Sequence, residues 1–185
     1  VAGALWSPEA HTVKEFLTRH QIPYQWLDVE CDSQARALVE AHNQGALKLP
    51  TVFFPDGVVL TAPTIQQIAE KAGLPTHAAL PFYDLVIIGA GPAGLSAAVY
   101  ASSDGIRCLL IEQNAPGGQA GSSPKIENYL GFPMGISGGD LTHRAITQAR
   151  RLGAEIITAQ PTTRVRAQDQ YHVVTMADGK EVSCH

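Results

Sequence analysis

The chain has 185 residues and a mass of 19.7 kDa, room for one large domain or two small ones at about 100–200 residues per domain. With 45% hydrophobic and 16% charged residues, 17 Gly and 12 Pro, it falls among globular chains rather than disordered, collagen-like or coiled-coil ones. A net charge of −4 argues against a nucleic-acid or anionic-lipid partner, and the apolar runs are strand-sized, too short for a membrane span.

In chain order, Val1 to Leu5 reads as the tail of a strand. A helix follows from about Pro8 to His20, with Val13, Phe16 and Leu17 on one face, Ser7 as N-cap and Pro8 in the first turn. Gln25 to Val29 is a strand and Ser33 to His42 a second helix. Two short strands, Leu49 to Phe54 and Val58 to Leu60, flank Pro55-Asp56-Gly57, the turn chemistry of a hairpin. A third helix runs from about Thr64 to Lys71 and is stopped by Gly73 and Pro75. Residues 75–82 carry two prolines and no charge, the composition of a linker, so the domains are placed at 1–74 and 83–185.

This β-α-β-α-β-β-α order resembles the thioredoxin/glutaredoxin fold, and the resemblance implies a cis proline before the third strand, at Pro50. It also places the family's dithiol at the start of the first helix, where N–H groups stabilise a thiolate. That place reads Trp6-Ser7-Pro8-Glu9-Ala10, with Ser7 and Ala10 where Cys-Pro-x-Cys would stand, so the first unit is expected to be redox-dead and kept for docking or packing. Ser7 is read as a cap rather than a nucleophile, since no base is evident beside it. His11, His20, His42 and His77 lack metal-ligand spacing and are read as solvent-facing or helix-end residues.

The second unit opens with Tyr83 to Ile88, a buried-type parallel strand running into Gly89-Ala90-Gly91-Pro92-Ala93-Gly94 and an Ala-rich helix to Ser103. This is G-x-G-x-x-G between strand and helix: Gly89 for the tight turn, Gly91 for close approach of a pyrophosphate, Gly94 for helix–strand packing, with the helix N-terminus facing the phosphate charge. A second strand, Ile106 to Ile111, ends at Glu112, 23 positions after Gly89, where an acid about 20 residues on accepts hydrogen bonds from a ribose diol. Strand, glycines, helix, strand and acid in order imply an adenosine dinucleotide, and Glu112 would repel a 2′-phosphate, leaving FAD or NAD.

Beyond lie Pro116-Gly117-Gly118-Gln119 and Ile126-Glu127-Asn128-Tyr129-Leu130-Gly131-Phe132-Pro133. With the glycine motif, these resemble the start of the low-molecular-weight thioredoxin reductases and related flavoproteins, over about residues 82–185. The resemblance implies that Gly89, Ala90, Gly91, Pro92, Ala93 and Gly94 hold the FAD pyrophosphate and that Glu112, with Gln113 beside it, holds the adenosine ribose. Gly118 and Gln119 would lie against the ribityl chain and flavin edge, Asn128 near the flavin ring, and Thr162 near adenine. A helix from Gly138 to about Leu152 with Asp140 as N-cap, a parallel strand at Ala154 to Thr158, and strands near Arg164 to Ala167, Tyr171 to Met176 and from Glu181 complete the reading, the last three resembling the family's β-meander.

The fold class expected is therefore α/β, a thioredoxin-like domain followed by an incomplete Rossmann-type FAD-binding domain with a β-meander. The chain begins at Val1 without an initiator Met or signal pattern, and it is expected to be a fragment of an FAD-dependent NAD(P)H oxidoreductase of thioredoxin-disulfide reductase type. Its continuation would carry the NAD(P)H site, the redox cysteines and a returning segment, so the chain alone is expected to be inactive and to bind FAD weakly, with an open sheet edge. No catalytic residue and no metal site is assigned. Cys31, Cys108 and Cys184 are odd in number, form no Cys-x-x-Cys and are read as structural or surface thiols in a reducing, cytoplasmic setting. A thioredoxin-like protein or small disulfide is the implied partner, with a homodimer through the parent. Two alternatives stand beside this: a non-catalytic nucleotide-binding or interaction module, and a related flavoprotein whose electron acceptor is not a disulfide.

Overall fold

The computed structural model describes residues 1–185, and the chain divides into two compact units, Val1–Ile68 and Ala69–His185. In the first, β1 (Ala2–Gly3), β2 (Leu27–Asp28), β3 (Thr51–Phe53) and β4 (Val59–Thr61) form one sheet in the order β2-β1-β3-β4. β1 and β2 are parallel, whereas β3 runs antiparallel to both β1 and β4. β2 is shorter than the Gln25 to Val29 run because β1 offers only two residues to pair with. The peptide between Leu49 and Pro50 is cis, as the resemblance implied.

Helix α1 (Pro8–Arg19) buries Ala10, Val13, Phe16 and Leu17, and α2 (Ser33–His42) buries Ala35 and Val39 against Ala2 and Val29. Ser7 caps α1, its hydroxyl oxygen accepting the Ala10 N–H at 3.2 Å while its O–H donates to Glu9 at 2.7 Å. A carboxylate does stand beside Ser7, but that hydrogen bond holds the Glu9 carboxyl below its ordinary range, which makes it a poor base. Helix α3 (Ile65–Lys71) runs across the division between the units.

The second unit has three layers. A parallel sheet of β6 (Leu85–Ile88), β7 (Cys108–Ile111) and β8 (Glu155–Ile157), in that order, lies between two helices and an antiparallel meander. The helices are α4 (Pro92–Ser103) and α5 (Gly138–Arg151); the meander sheet is β5 (Phe82–Tyr83), β9 (Thr162–Gln168), β10 (Tyr171–Met176) and β11 (Glu181–Cys184), in the order β5-β11-β10-β9. β7 is the central strand, and its side chains alternate between the two cores. Cys108 and Leu110 pack with Leu95, Ala98 and Ala149 under the helices, while Leu109 and Ile111 pack with Val174, Met176 and Val182 of the meander. Each fully buried Leu or Ile here contributes about 1.5–3 kcal/mol.

The expected single strand from Tyr83 to Ile88 is two strands in two sheets. Tyr83 pairs with Cys184 in the meander and Leu85 with Cys108 in the parallel sheet, so the chain changes sheets at Asp84. Asp84 accepts from the Arg107 backbone N–H at 2.9 Å and from Arg107 Nε and Nη2 at 3.1 Å each, and its own N–H donates to the Arg107 carbonyl. Those bonds also explain why β7 begins at Cys108 rather than Ile106. β6 is an edge strand and not a buried one, with Ile88 half exposed. The cap of α5 is likewise corrected from Asp140 to Ser137: Ser137 Oγ accepts the Asp140 N–H at 3.0 Å and its O–H donates to the Asp140 carboxylate at 2.8 Å.

Residues 75–82 are tied along the second unit. The Pro75 carbonyl accepts from Thr158 N–H, Ala79 N–H donates to Glu155 at 2.7 Å, and Tyr83 Oη accepts from Leu80 N–H while donating to Glu155. Exposed His77 is not a bare surface residue, since its ring lies 3.0 Å from Lys180 Nζ and 3.5 Å from carboxylates of both Glu70 and Asp178. Burial, then the bond to Glu155, pushes the Tyr83 hydroxyl up to about 12. A raised native pKa stabilises the fold below the unfolded value near 10, and that contribution is lost as the pH climbs from about 10 to about 12. Thermal melts across that window should show a steeper loss for the wild type than for Tyr83→Phe, which starts about 1 kcal/mol lower at neutral pH; parallel curves would contradict this role.

All three cysteines are free; Cys31 is exposed, whereas Cys108 and Cys184 are buried. Burial pushes the Cys108 thiol up to about 11, so it stays protonated and inert at neutral pH. A thiol-reactive chromogen should therefore react promptly with Cys31 alone in the native chain, and with Cys108 and Cys184 only after denaturation. Rapid reaction of Cys108 in the native state would overturn the packing described here.

Candidate functional site

The glycine segment from Gly89 to Gly94, a short loop at Gly89–Gly91 and the first turn of α4, lies at the C-terminal end of the parallel sheet, the end at which ligands bind in open α/β sheets. Gly89 takes a φ of +98°, open to glycine at no steric cost, and its N–H donates to the Ile111 carbonyl at 2.8 Å, fixing the loop on the end of β7. Ala90 is fully buried. Its N–H donates to Glu112 Oε2 at 2.8 Å, and its carbonyl accepts from Gly117 N–H at 2.7 Å.

Gly91 is the N-cap of α4 with φ −71°, and Pro92 follows in the first turn, where it needs no N–H. Side-chain oxygens cap α1, α2 and α5, but no side chain caps α4. The positive end of this helix is thus left without a side-chain acceptor. Ala93 is exposed on the same turn. At Gly94 an added Cβ would lie 2.0 Å from the Gly89 carbonyl oxygen, whereas at Gly91 it would meet nothing within 4 Å. The loop is therefore tight beneath and open above, a cradle that fits a phosphate group approaching the backbone.

Glu112 follows β7, is 8% exposed, and brings its second carboxylate oxygen to the Asn114 N–H at 3.0 Å. Gln113 and Gln119 are exposed on either side of the Pro116–Gly118 turn. Gly118 lies against the loop after β6, an added Cβ there standing 3.2 Å from Gly91 Cα. Behind it, Gly117 packs on Thr142 of α5, and a 3₁₀ turn at Ala120–Ser122 lies so close to α5 that a Cβ on Gly138 would stand 1.7 Å from the Ala120 carbonyl oxygen. Asn128 is exposed in a loop tied to α4 by Ser96 Oγ and Tyr129 Oη at 3.3 Å. Thr162 begins β9, and its buried hydroxyl has no hydrogen-bond partner.

The structure thus brings Gly89, Ala90, Gly91, Gly118 and Glu112 together by direct contact. No hydrogen bond ties Gln113, Gln119, Asn128 or Thr162 to that group. Sequence reasoning missed Gly117, whose N–H docks the second glycine loop on the first, although the Gly117-Gly118 pair was its signal. It also missed Thr158, whose hydroxyl donates to the Asn114 carbonyl, and Gln160, whose N–H donates to the Glu112 carbonyl at 3.0 Å. Neither residue carries a sequence signal, because both contacts form only when β8 pairs with β7.

No group of three or more His, Cys, Asp or Glu side chains is arranged to hold a metal ion, and no helix is long and apolar enough to cross a membrane. Residues 83–185, more than half of the chain, match the family described as pyridine nucleotide-disulphide oxidoreductase. The chain is similar to the thioredoxin reductase of Bacillus subtilis, 47% identical over 73 residues that cover 40% of this chain and 23% of that protein. It is 42% identical to that of Treponema pallidum over 93 residues, covering 50% and 30%. Among solved structures it resembles the thioredoxin reductase of Streptococcus pyogenes, with a TM-score of 0.53, 34% identity and coverage of 56% of this chain and 33% of that one. The thioredoxin reductase of T. acidophilum gives 0.51, 30%, 57% and 33%. The chain thus spans between a fifth and a third of the length of these relatives.

Proposed function

The chain belongs to the pyridine nucleotide-disulphide oxidoreductase family, and from that membership we propose that residues 83–185 are the FAD-binding part of a thioredoxin-reductase-like enzyme. The observation that carries this reading is the open loop Gly89–Gly94, backed by an uncapped helix N-terminus and joined to Glu112 at 2.8 Å. Gly89, Ala90, Gly91, Pro92, Ala93 and Gly94 would hold the pyrophosphate, Glu112 and Gln113 the adenosine ribose, and Thr162 the adenine end. Gly118, Gln119 and Asn128 would line the flavin end.

When bound, FAD would supply hydride acceptance from NAD(P)H and electron delivery to a disulfide. The residues of this chain bind and orient; none is assigned a catalytic role. The whole protein would act on a thioredoxin-like protein or small disulfide, as a homodimer. Its three unpaired cysteines suit a reducing, cytoplasmic setting. The first unit, with Ser7 and Ala10 at the start of α1, is read as a redox-inactive, glutaredoxin-like module.

Titration of the ¹⁵N-labelled chain with FAD tests the assignment. Amide shifts should concentrate at residues 89–94 and 112–119, with further changes near 128 and 162. Saturable shifts confined to the first unit, or no shifts at all, would contradict it.

A further inference from the structure

We propose that Glu112 is a positioning residue whose carboxylate clamps the phosphate loop to the following glycine loop independently of any nucleotide. Both of its oxygens are already engaged by backbone donors, Ala90 N–H on Oε2 at 2.8 Å and Asn114 N–H on Oε1 at 3.0 Å. The side chain is 8% exposed, and Ala90 is fully buried. Its own backbone is fixed on both sides, the N–H on the Ile157 carbonyl and the carbonyl under the Gln160 N–H, each at 3.0 Å. The anchor is therefore rigid, and the two loops hang from its carboxylate.

A second tie runs parallel to the first, from Gly117 N–H to the Ala90 carbonyl at 2.7 Å. Glu112 thereby fixes the Gly89–Ala90 peptide through the Ala90 N–H, and Gly117 fixes the Ala90–Gly91 peptide through the Ala90 carbonyl, so the planes on both sides of Ala90 are set. That peptide orientation governs whether the neighbouring N–H groups point at an incoming phosphate. Each carboxylate oxygen accepts more than one hydrogen bond, so the clamp still leaves acceptor capacity for a ribose diol. The two duties differ in what they demand. A diol both donates and accepts, so an amide side chain can serve it. Two backbone N–H groups only donate, so Glu112→Gln must turn its NH₂ toward one of them and leave that donor unpaired.

The test compares the full ligand-free chain with Glu112→Gln by site-resolved amide hydrogen exchange. In the wild type, the Ala90 and Asn114 amides should be protected, and in the variant at least one should exchange about tenfold faster or more, while the Leu110 amide changes by less than about twofold. Unchanged exchange at Ala90 and Asn114 would overturn the clamp. Should the variant not fold, the wild type still decides, because unprotected Ala90 and Asn114 amides would overturn it equally. A nucleotide arm, which rests on the proposed dinucleotide reading, uses ADP and 2′,3′-dideoxy-ADP. The clamp predicts that Glu112→Gln weakens both by a similar factor, about tenfold, whereas a loss confined to ADP would overturn it. Failure of wild type to bind either nucleotide would count against the dinucleotide reading, and the exchange result would then decide the clamp by itself.

Discussion

Replacing Gly94 by alanine is expected to lower the stability of the second unit by about 2–3 kcal/mol and, in the proposed reading, to remove flavin binding with it. Alanine gains about 1 kcal/mol over glycine in a helix interior, so helix propensity alone would favour the change. The added Cβ, however, would stand 2.0 Å from the Gly89 carbonyl oxygen and 3.2 Å from its carbon. Neither is the flexible end of a side chain. Relief requires α4 to move off β6, and α4 carries Leu95 and Ala98 into the core with Leu110. A fall in melting temperature on the order of 10–20 °C is the direct readout. A variant as stable as wild type would show that helix and strand do not meet as described.

Gly91→Ala should do the opposite to the fold and the same to the ligand. Its φ of −71° suits any residue, and the new methyl would find nothing within 4 Å, so the cost is that of a poorer N-cap, about 1 kcal/mol or less. In the proposed reading that open space is where the pyrophosphate meets the backbone, and a methyl there pushes it away. Flavin affinity should drop at least about tenfold while the melting temperature hardly moves. Loss of stability equal to that of Gly94→Ala would place the two glycines in the same packing role and remove the distinction on which the cradle rests.

The Gly89–Gly94 segment is the most legible part of the molecule, because G-x-G-x-x-G between an apolar run and an Ala-rich helix leaves little choice of local structure. Helix α4 occupies the residues read for it, Pro92 to Ser103. The break at Asp84 was not legible. Tyr83 to Ile88 is one apolar run interrupted by a single acid, and what turns the chain from one sheet to the other is a bond to Arg107, 23 residues away. Ser137 could have been found, since Ser137-Gly138-Gly139-Asp140 has capping-box spacing. The position of Glu112 followed from spacing, but its engagement with Ala90 and Asn114 depends on how two loops converge in space. For Asn128 and Thr162 only the family resemblance speaks, and the geometry adds an exposed loop for one and an unpartnered hydroxyl for the other.

The most direct test of the proposed flavin cradle is a difference-absorption titration of FAD at equilibrium with the wild-type chain and with Gly91→Ala. A saturable perturbation of the flavin bands in wild type that is lost or strongly weakened in Gly91→Ala is the expected result. An equal perturbation in both chains, or none in a folded wild type, would contradict the assignment of residues 89–94 as the flavin pyrophosphate site.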